Sequence, residues 1–233
     1  MKAHSKTPKE CLYLETGSMP IKFIIKQRRL MYWHHILSRE NNELISRVYY
    51  AQKKKPIKDD WSLQVDKDAQ DIGLKIDIQE IKKMKKSNFK KQIKTKIQAL
   101  ALKQLNKIKK SHSKVLQLKY TKLETQNYIK KKIFSTKEIT TLFKLRTRMV
   151  QVKMNFKNFY DNTLCDLCYD EEDSQEHMLN CEKLIEHCDE LYNDYIVNYE
   201  DIYSSDPHVL LRVTKLFMKV IESKENLIEG DNV

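Results

Sequence analysis

An all-α fold, built as an irregular array of several helices, is what this sequence predicts, and three observations carry the prediction. Only three glycines (Gly17, Gly73, Gly230) and four prolines punctuate 233 residues, whereas a sheet-rich chain needs turn residues about every ten positions. Apolar residues recur at three- and four-residue spacing in five segments. The boundaries of those segments carry helix caps and stops rather than hairpin turns.

Residues 1–19 are mixed in character and expected to be loose. Pro20 then opens "PIKFIIKQRRLMYWHHILSRE", where a proline suits the first turn of a helix. Phe23, Leu30, Trp33 and Leu37 form its core stripe, widened by Ile24, Ile25 and Met31, while Lys22, Lys26 and Arg29 form a separate basic stripe. In "LMYWHH" the rings of Tyr32, Trp33 and His34 could stack unpaired bases, but the apolar members fit the core stripe better. A second helix over 42–54 carries Leu44, Ile45, Val48 and Tyr49 and stops before Pro56. "DDWSLQVDKDAQDIG" reads as a capped short helix ended by Gly73.

A long helix follows over roughly 86–110, with Phe89, Ile93, Ile97, Leu100, Ala101, Leu105 and Ile108 on one face. "FSTKEITTLFKLRTRMV" begins with a capping box, Ser135 to Glu138, and carries Ile139, Leu142, Phe143, Met149 and Val150 as its stripe. The last helix is amphipathic, capped by Asp206 ahead of Pro207, with Val209, Leu210, Val213, Leu216, Phe217, Val220 and Ile221 facing a core.

Charge is distributed unevenly along this frame. The chain carries +12 overall, yet 161–233 sums to −14 and the remaining 160 residues to +26. Within 81–158 only Glu124 and Glu138 oppose 24 lysines and arginines. A field of that strength attracts polyanions and makes RNA or DNA the expected partner. Lys90, Lys94, Lys103, Lys107 and Lys110 on the long helix are the candidate phosphate contacts, with Lys137, Lys144 and Arg148 on the next. Solvated helix faces are the plainer reading of the same residues, and Arg146, nearer the apolar stripe, is expected to be half buried. Three regions result: a loose segment over 1–19, a basic helical region over 20–160, and an acidic segment over 161–233.

Composition also excludes several functions. No apolar run approaches the roughly 18 residues of a membrane span, and no hydrophobic signal segment opens the chain. No two glycines lie close together, so phosphate-cradling loops are absent and no small-molecule substrate is expected. Five cysteines, three of them clustered, suit a reducing compartment, nuclear or cytoplasmic. "AQKKKPIK" has the composition of a nuclear-import signal.

The cluster is "CDLCYDEEDSQEHMLNC", with Cys165 and Cys168 two residues apart and His177 and Cys181 at helical i, i+4 spacing. Asp173 and Glu176 are placed to form a capping box ahead of His177. Three thiolates and an imidazole make a closed tetrahedral set that favours structural zinc. The bland alternative is three small buried hydrophobes beside Leu164, Leu167 and Leu179; His187 and Cys188 are second-choice ligands, and Cys11 a lone thiol. There is no HExxH, and Leu164 stands where a zinc deaminase needs proline. Asp170, Glu171, Glu172 and Asp173 surround a centre that would itself carry −1, so phosphate should avoid it and the motif reads as a fold staple.

Four blocks, "LETGSMPIKFIIKQRRLMYWHHILSRE", "ELISRVYYAQKKKPIKDDW", "STKEITTLFKLRTRMVQVKMNFK" and "CDLCYDEEDSQEHMLNC", occur in an order and at gaps that resemble the C-terminal part of non-LTR retrotransposon polyproteins. The resemblance spans about residues 12–181 and lies downstream of the family's reverse transcriptase domain. It implies a helical region that helps bind the element's RNA and target DNA, followed by a metal motif ligated by Cys165, Cys168, His177 and Cys181. It also implies contact with the upstream polymerase domain in a full-length element. The spacing departs from the retroviral knuckle, which has four residues between its second cysteine and its histidine. Polymerase chemistry needs metal-binding aspartates, and the paired Asp59 and Asp60 in "PIKDDW" read as helix-capping residues instead. The chain is therefore expected to be a non-catalytic fragment that binds nucleic acid, or else a helical interaction or scaffold protein left from an exapted or decayed element.

Overall fold

The computed structural model describes residues 7–41, 43–75, 77–109, 118, 120, 122–187 and 198–230. Ten α-helices are described: α1 (Lys9–Thr16), α2 (Ile21–Leu37), α3 (Leu44–Lys54), α4 (Trp61–Asp71), α5 (Ile78–Lys83), α6 (Lys86–Lys109), α7 (Asn127–Lys130), α8 (Thr136–Arg146), α9 (Glu182–His187) and α10 (Pro207–Gly230). Short 3-10 turns cover Lys153–Phe159, His177–Leu179 and Tyr199–Tyr203. Among the described residues no strand forms, only an isolated bridge between Leu164 and Glu172. The all-α expectation holds.

The chain divides into two compact units. A basic unit comprises 17–111 and 120–124; a cysteine-bearing unit comprises 1–16, 112–119 and 125–233.

In the basic unit α2 is the hub, packing on α6, α4, α5 and α3. Its stripe of Phe23, Leu30, Trp33, Ile36 and Leu37 is buried, as are Phe89, Ile93, Ile97, Ala101 and Leu105 on α6. Their spacing of three and four residues along each helix is what lets two long faces close without a gap. Trp33 and His34 belong to this core and not to a base-stacking surface. The indole N–H donates to the Tyr49 hydroxyl at 2.9 Å, and the His34 ring stacks on Phe89 with centroids 4.7 Å apart. The basic stripe of α2 is spoken for as well. Lys26 and Arg29 both reach Asp68 on α4, at 2.7 and 2.8 Å, and Lys26 also reaches Asp71. Partial burial pulls the Lys26 ammonium down, but the two carboxylates outweigh it and raise its pKa. Gly73 ends α4 at φ +59°, with Leu74 N–H returning to Ala69 O, a conformation that costs glycine nothing.

On α3 the expected face is only partly the buried one, Tyr49 lying inside and Ile45 half-buried. Ser46 and Tyr49 are buried, the serine hydroxyl reaching Ile36 O, while Leu44 and Val48 are 75% and 50% exposed. The inward side of the helix thus carries two hydrogen bonds to α2, Trp33 to Tyr49 and Ser46 to Ile36 O.

The cysteine-bearing unit closes around α10. Its core joins Tyr128, Phe134, Leu142, Leu145, Val150 and Val152 to Met178, Leu184, Tyr199, Ile202, Leu210, Val213, Leu216, Phe217 and Val220. The boundary expected near residue 160 is therefore not where the structure divides. α8, read with the basic region, packs on α10. Nor is the N-terminal segment loose throughout. α1 buries Cys11, Leu14 and Glu15, and Glu15 accepts from Tyr128 Oη and from Arg146 Nε, both at 2.9 Å. Arg146 completes this knot by donating to Ile202 O at 2.6 Å and lying over the Tyr128 and Tyr203 rings. It is buried rather than half buried. Partners 131 residues apart in sequence leave no local trace, which is why α1 reads as loose.

The α8 capping box forms as expected: Ser135 Oγ accepts from Glu138 N–H, and Glu138 Oε2 accepts from Ser135 N–H. The helix stops at Arg146, so Met149 and Val150 are buried beyond its end. At the stop, Met149 N–H returns to Lys144 O at 2.8 Å and Arg148 takes φ +55°, a position usually given to glycine.

Candidate metal centre

The centre begins with a small hairpin. Asp173 N–H donates to Thr163 O and Cys165 N–H to Glu171 O, both at 2.8 Å, on either side of the Leu164–Glu172 bridge. Between them Tyr169 N–H returns to Cys165 O at 3.0 Å, closing a tight turn that aims Cys165 and Cys168 at one point. Tyr169 itself takes φ +56° and is exposed. The second pair comes from the 3-10 turn at His177–Leu179. Cys181 N–H donates to His177 O at 2.7 Å, and Ile185 N–H to Cys181 O at 2.9 Å, which hands the chain on to α9.

These elements bring Cys165, Cys168, His177 and Cys181 together, with one ligand atom from each within 4.8 Å of all the others. The four could hold a metal ion. Cys165 Sγ and Cys181 Sγ stand 4.0 Å apart, and Cys168 Sγ and His177 Nε2 3.3 Å apart. Cys165, His177 and Cys181 are buried and Cys168 is partly open to solvent. The thiols differ accordingly. Burial pushes Cys181 up to about 11, and the neighbouring thiols add to it. For Cys168 slight burial works upward, but N–H groups of Glu171 and Asp170, with Cys165 and His177, bring it down to about 7.

The capping box expected from Asp173 and Glu176 is not made. Ser174 Oγ is the group that accepts from His177 N–H, at 3.0 Å. Asp173 is buried and accepts from Lys153 N–H at 2.9 Å and from the buried ammonium of Lys224 on α10. Glu176 forks with Arg148, one bond being 2.7 Å from Nη1 to Oε2. Burial opposes the charge on Glu176, but the guanidinium outweighs it and holds the carboxyl below its ordinary range. Lys153 ties the other end of the hairpin, donating to Leu164 O at 2.9 Å and Asp166 at 2.5 Å. Tertiary charge partners took residues that local spacing assigned to a cap.

The candidate phosphate contacts separate into groups. Lys90, Lys94, Lys103 and Lys107 are all exposed on α6, and Lys110 lies outside the described residues. Lys137 and Lys144 line an open groove of about 630 Å³ whose opposite wall carries Glu222 and Glu225 of α10. Arg148 is committed to Glu176 and lies over the Tyr199 ring, 5.0 Å from its centroid. Of the second-choice ligands, His187 is exposed at the end of α9 and Cys188 lies outside the described residues. Lys153, Asp173 and Lys224 were not singled out as a bonded set by sequence; their only signal was excess acidity around the hairpin of a basic chain. No protein-family model matches the chain, and no curated protein or solved structure matches it significantly.

Proposed function

We propose that this chain is a non-catalytic helical module that grips the phosphate backbone of RNA or DNA and is stapled by one structural zinc ion. The observation that carries this reading is the outer surface of α6. That helix holds eight lysines and no acidic residue. Among the described residues, none of Lys90, Lys94, Lys103 and Lys107 is in an ion pair. Unneutralised ammonium groups at helical spacing are a surface that phosphates can displace counterions from. Because no aromatic side chain other than buried Phe89 lies on α6, this surface offers no ring on which an unpaired base could stack.

Zinc is the ion that fits the cysteine cluster. Thiolates at about 2.3 Å from zinc in a tetrahedron stand about 3.8 Å apart, which agrees with the 4.0 Å between Cys165 and Cys181. Four protein ligands close the shell and leave no position for a substrate. The order of the four sequence blocks supports an origin downstream of the polymerase domain in a non-LTR retrotransposon polyprotein. A second reading, a protein-interaction scaffold, draws on the exposed Leu44 and Val48 of α3.

Filter binding to RNA and to DNA tests the proposal. Affinity should fall steeply between about 50 and 200 mM salt, and replacing Lys90, Lys94, Lys103 and Lys107 by Gln should weaken binding and flatten that dependence. Absence of binding at the lowest salt would overturn it and favour the scaffold.

A further inference from the structure

A carboxylate beside the metal ligands is electrostatically out of place. Zinc with three thiolates and a neutral imidazole carries −1, and an acidic neighbour adds to a charge already in excess. Glu171 nevertheless sits there, and it touches three of the four ligand residues. Its carbonyl accepts from Cys165 N–H at 2.8 Å. Its own N–H points to the Cys168 sulfur. Its carboxylate Oε2 meets His177 Nδ1 at 2.9 Å. The first two contacts are made by backbone and would survive any side chain. The third belongs to the carboxylate alone.

That third contact decides how His177 can bind. A neutral imidazole carries one proton, and a carboxylate at Nδ1 can only accept it. Nδ1 is thereby the donor, and Nε2 is left with a free lone pair. Nε2 is the nitrogen that lies 3.3 Å from Cys168 Sγ, on the side of the thiols. The buried ring is held from both sides, while the carboxylate is 67% exposed and keeps water on its outer face.

We infer that Glu171 is a positioning residue for the metal centre: it fixes the tautomer and the plane of His177 and so aims the Nε2 lone pair at the thiols. The inference rests on the zinc reading of the cluster. Partners of this kind are worth about 10- to 100-fold in metal affinity, and exposure of this one places it near the lower end, at about tenfold.

The experiment is zinc competition against a chromophoric chelator on the full chain, with Glu171→Ala and Glu171→Gln beside the wild type. Wild type should bind one zinc. Glu171→Ala should bind it about tenfold more weakly, and Glu171→Gln, whose amide oxygen still accepts but carries no charge, should fall between. Far-ultraviolet circular dichroism of the zinc-saturated variants checks that folding is equal. Long-range proton–nitrogen spectra of the imidazole should show Nδ1 protonated and Nε2 metal-bound in wild type, with the tautomer signal broadened in Glu171→Ala. Equal affinities for all three proteins, or zinc on Nδ1, would overturn the role of Glu171. A wild-type protein that binds no zinc would instead overturn the metal reading itself.

Discussion

In the basic unit Lys90, Lys94, Lys103 and Lys107 of α6 are exposed, and among the described residues none of the four is in an ion pair. In the cysteine-bearing unit Arg146, Arg148, Lys153 and Lys224 each end on a carboxylate: Glu15, Glu176, Asp166 and Asp173. The same residue types thus serve opposite ends. Outward and unpaired, they generate a field and contribute almost nothing to stability. Inward and paired, they cancel their own field and specify which segments meet. Lys26 and Arg29 show that the difference lies in the supply of acid rather than in the unit, since Asp68 captures both in the basic one. Counting charge along the chain therefore overstates the surface offered to a polyanion and locates it imprecisely.

Metal removal should strain this comparison most. A chelator is expected to abolish amide protection over 163–187 and to cost the cysteine-bearing unit several kcal/mol, because structural zinc supplies folding energy directly. Amides of α2, α4 and α6 should keep their protection in the same hydrogen-exchange experiment. Equal loss in both units would mean that the centre does not stabilise its own unit selectively.

Next in size is the buried knot. Glu15→Ala leaves Arg146 charged and Tyr128 Oη without its acceptor, and breaking such a pair costs about 3–5 kcal/mol. Urea denaturation should register that loss, a large fraction of the roughly 5–15 kcal/mol that holds a domain together. The four-lysine change on α6 supplies the contrast. Lys90, Lys94, Lys103 and Lys107 to Gln should alter stability by no more than about 0.5 kcal/mol per site, yet lower the slope of log affinity against log salt by up to about 3.6. If it destabilises like Glu15→Ala, the outward surface is structural after all.

The smallest effect concerns Tyr169, exposed and held at φ +56°. Left-handed backbone costs a side chain about 1–2 kcal/mol, and glycine returns part of that gain in chain entropy. Tyr169→Gly should raise stability by about 0.5–1 kcal/mol in the same urea titration.

Local rules made some of these features legible in the sequence and hid others. Helical spacing identified the buried faces of α2, α6 and α10, and the Ser135–Glu138 box marked the start of α8, because the period of a stripe and the pairing of a cap are both written within one or two turns. The cluster of Cys165, Cys168, His177 and Cys181, which could hold a metal ion, was legible because all four lie within 17 residues. Asp173, Glu176 and Arg148 were misplaced because their partners are 51 and 28 residues away. A capping pattern or a basic helix face describes what a side chain can reach nearby, and a buried carboxylate with a distant lysine outcompetes it. On α3 Tyr49 is buried as read, bonded to Trp33, whereas Leu44 and Val48 are exposed and Ser46 takes an inward position that its polarity did not suggest.

The bond from Arg146 to Glu15 spans 131 residues, and the whole of the basic unit is inserted between its ends. Synthesis proceeds from the N-terminus at about 5–20 residues per second. The basic unit leaves the ribosome complete while α1 still waits for α8, α10 and the hairpin. Its exposed lysines thus face solvent seconds before the cysteine-bearing unit can assemble, so one unit has all its packing partners while the other is still waiting for its own.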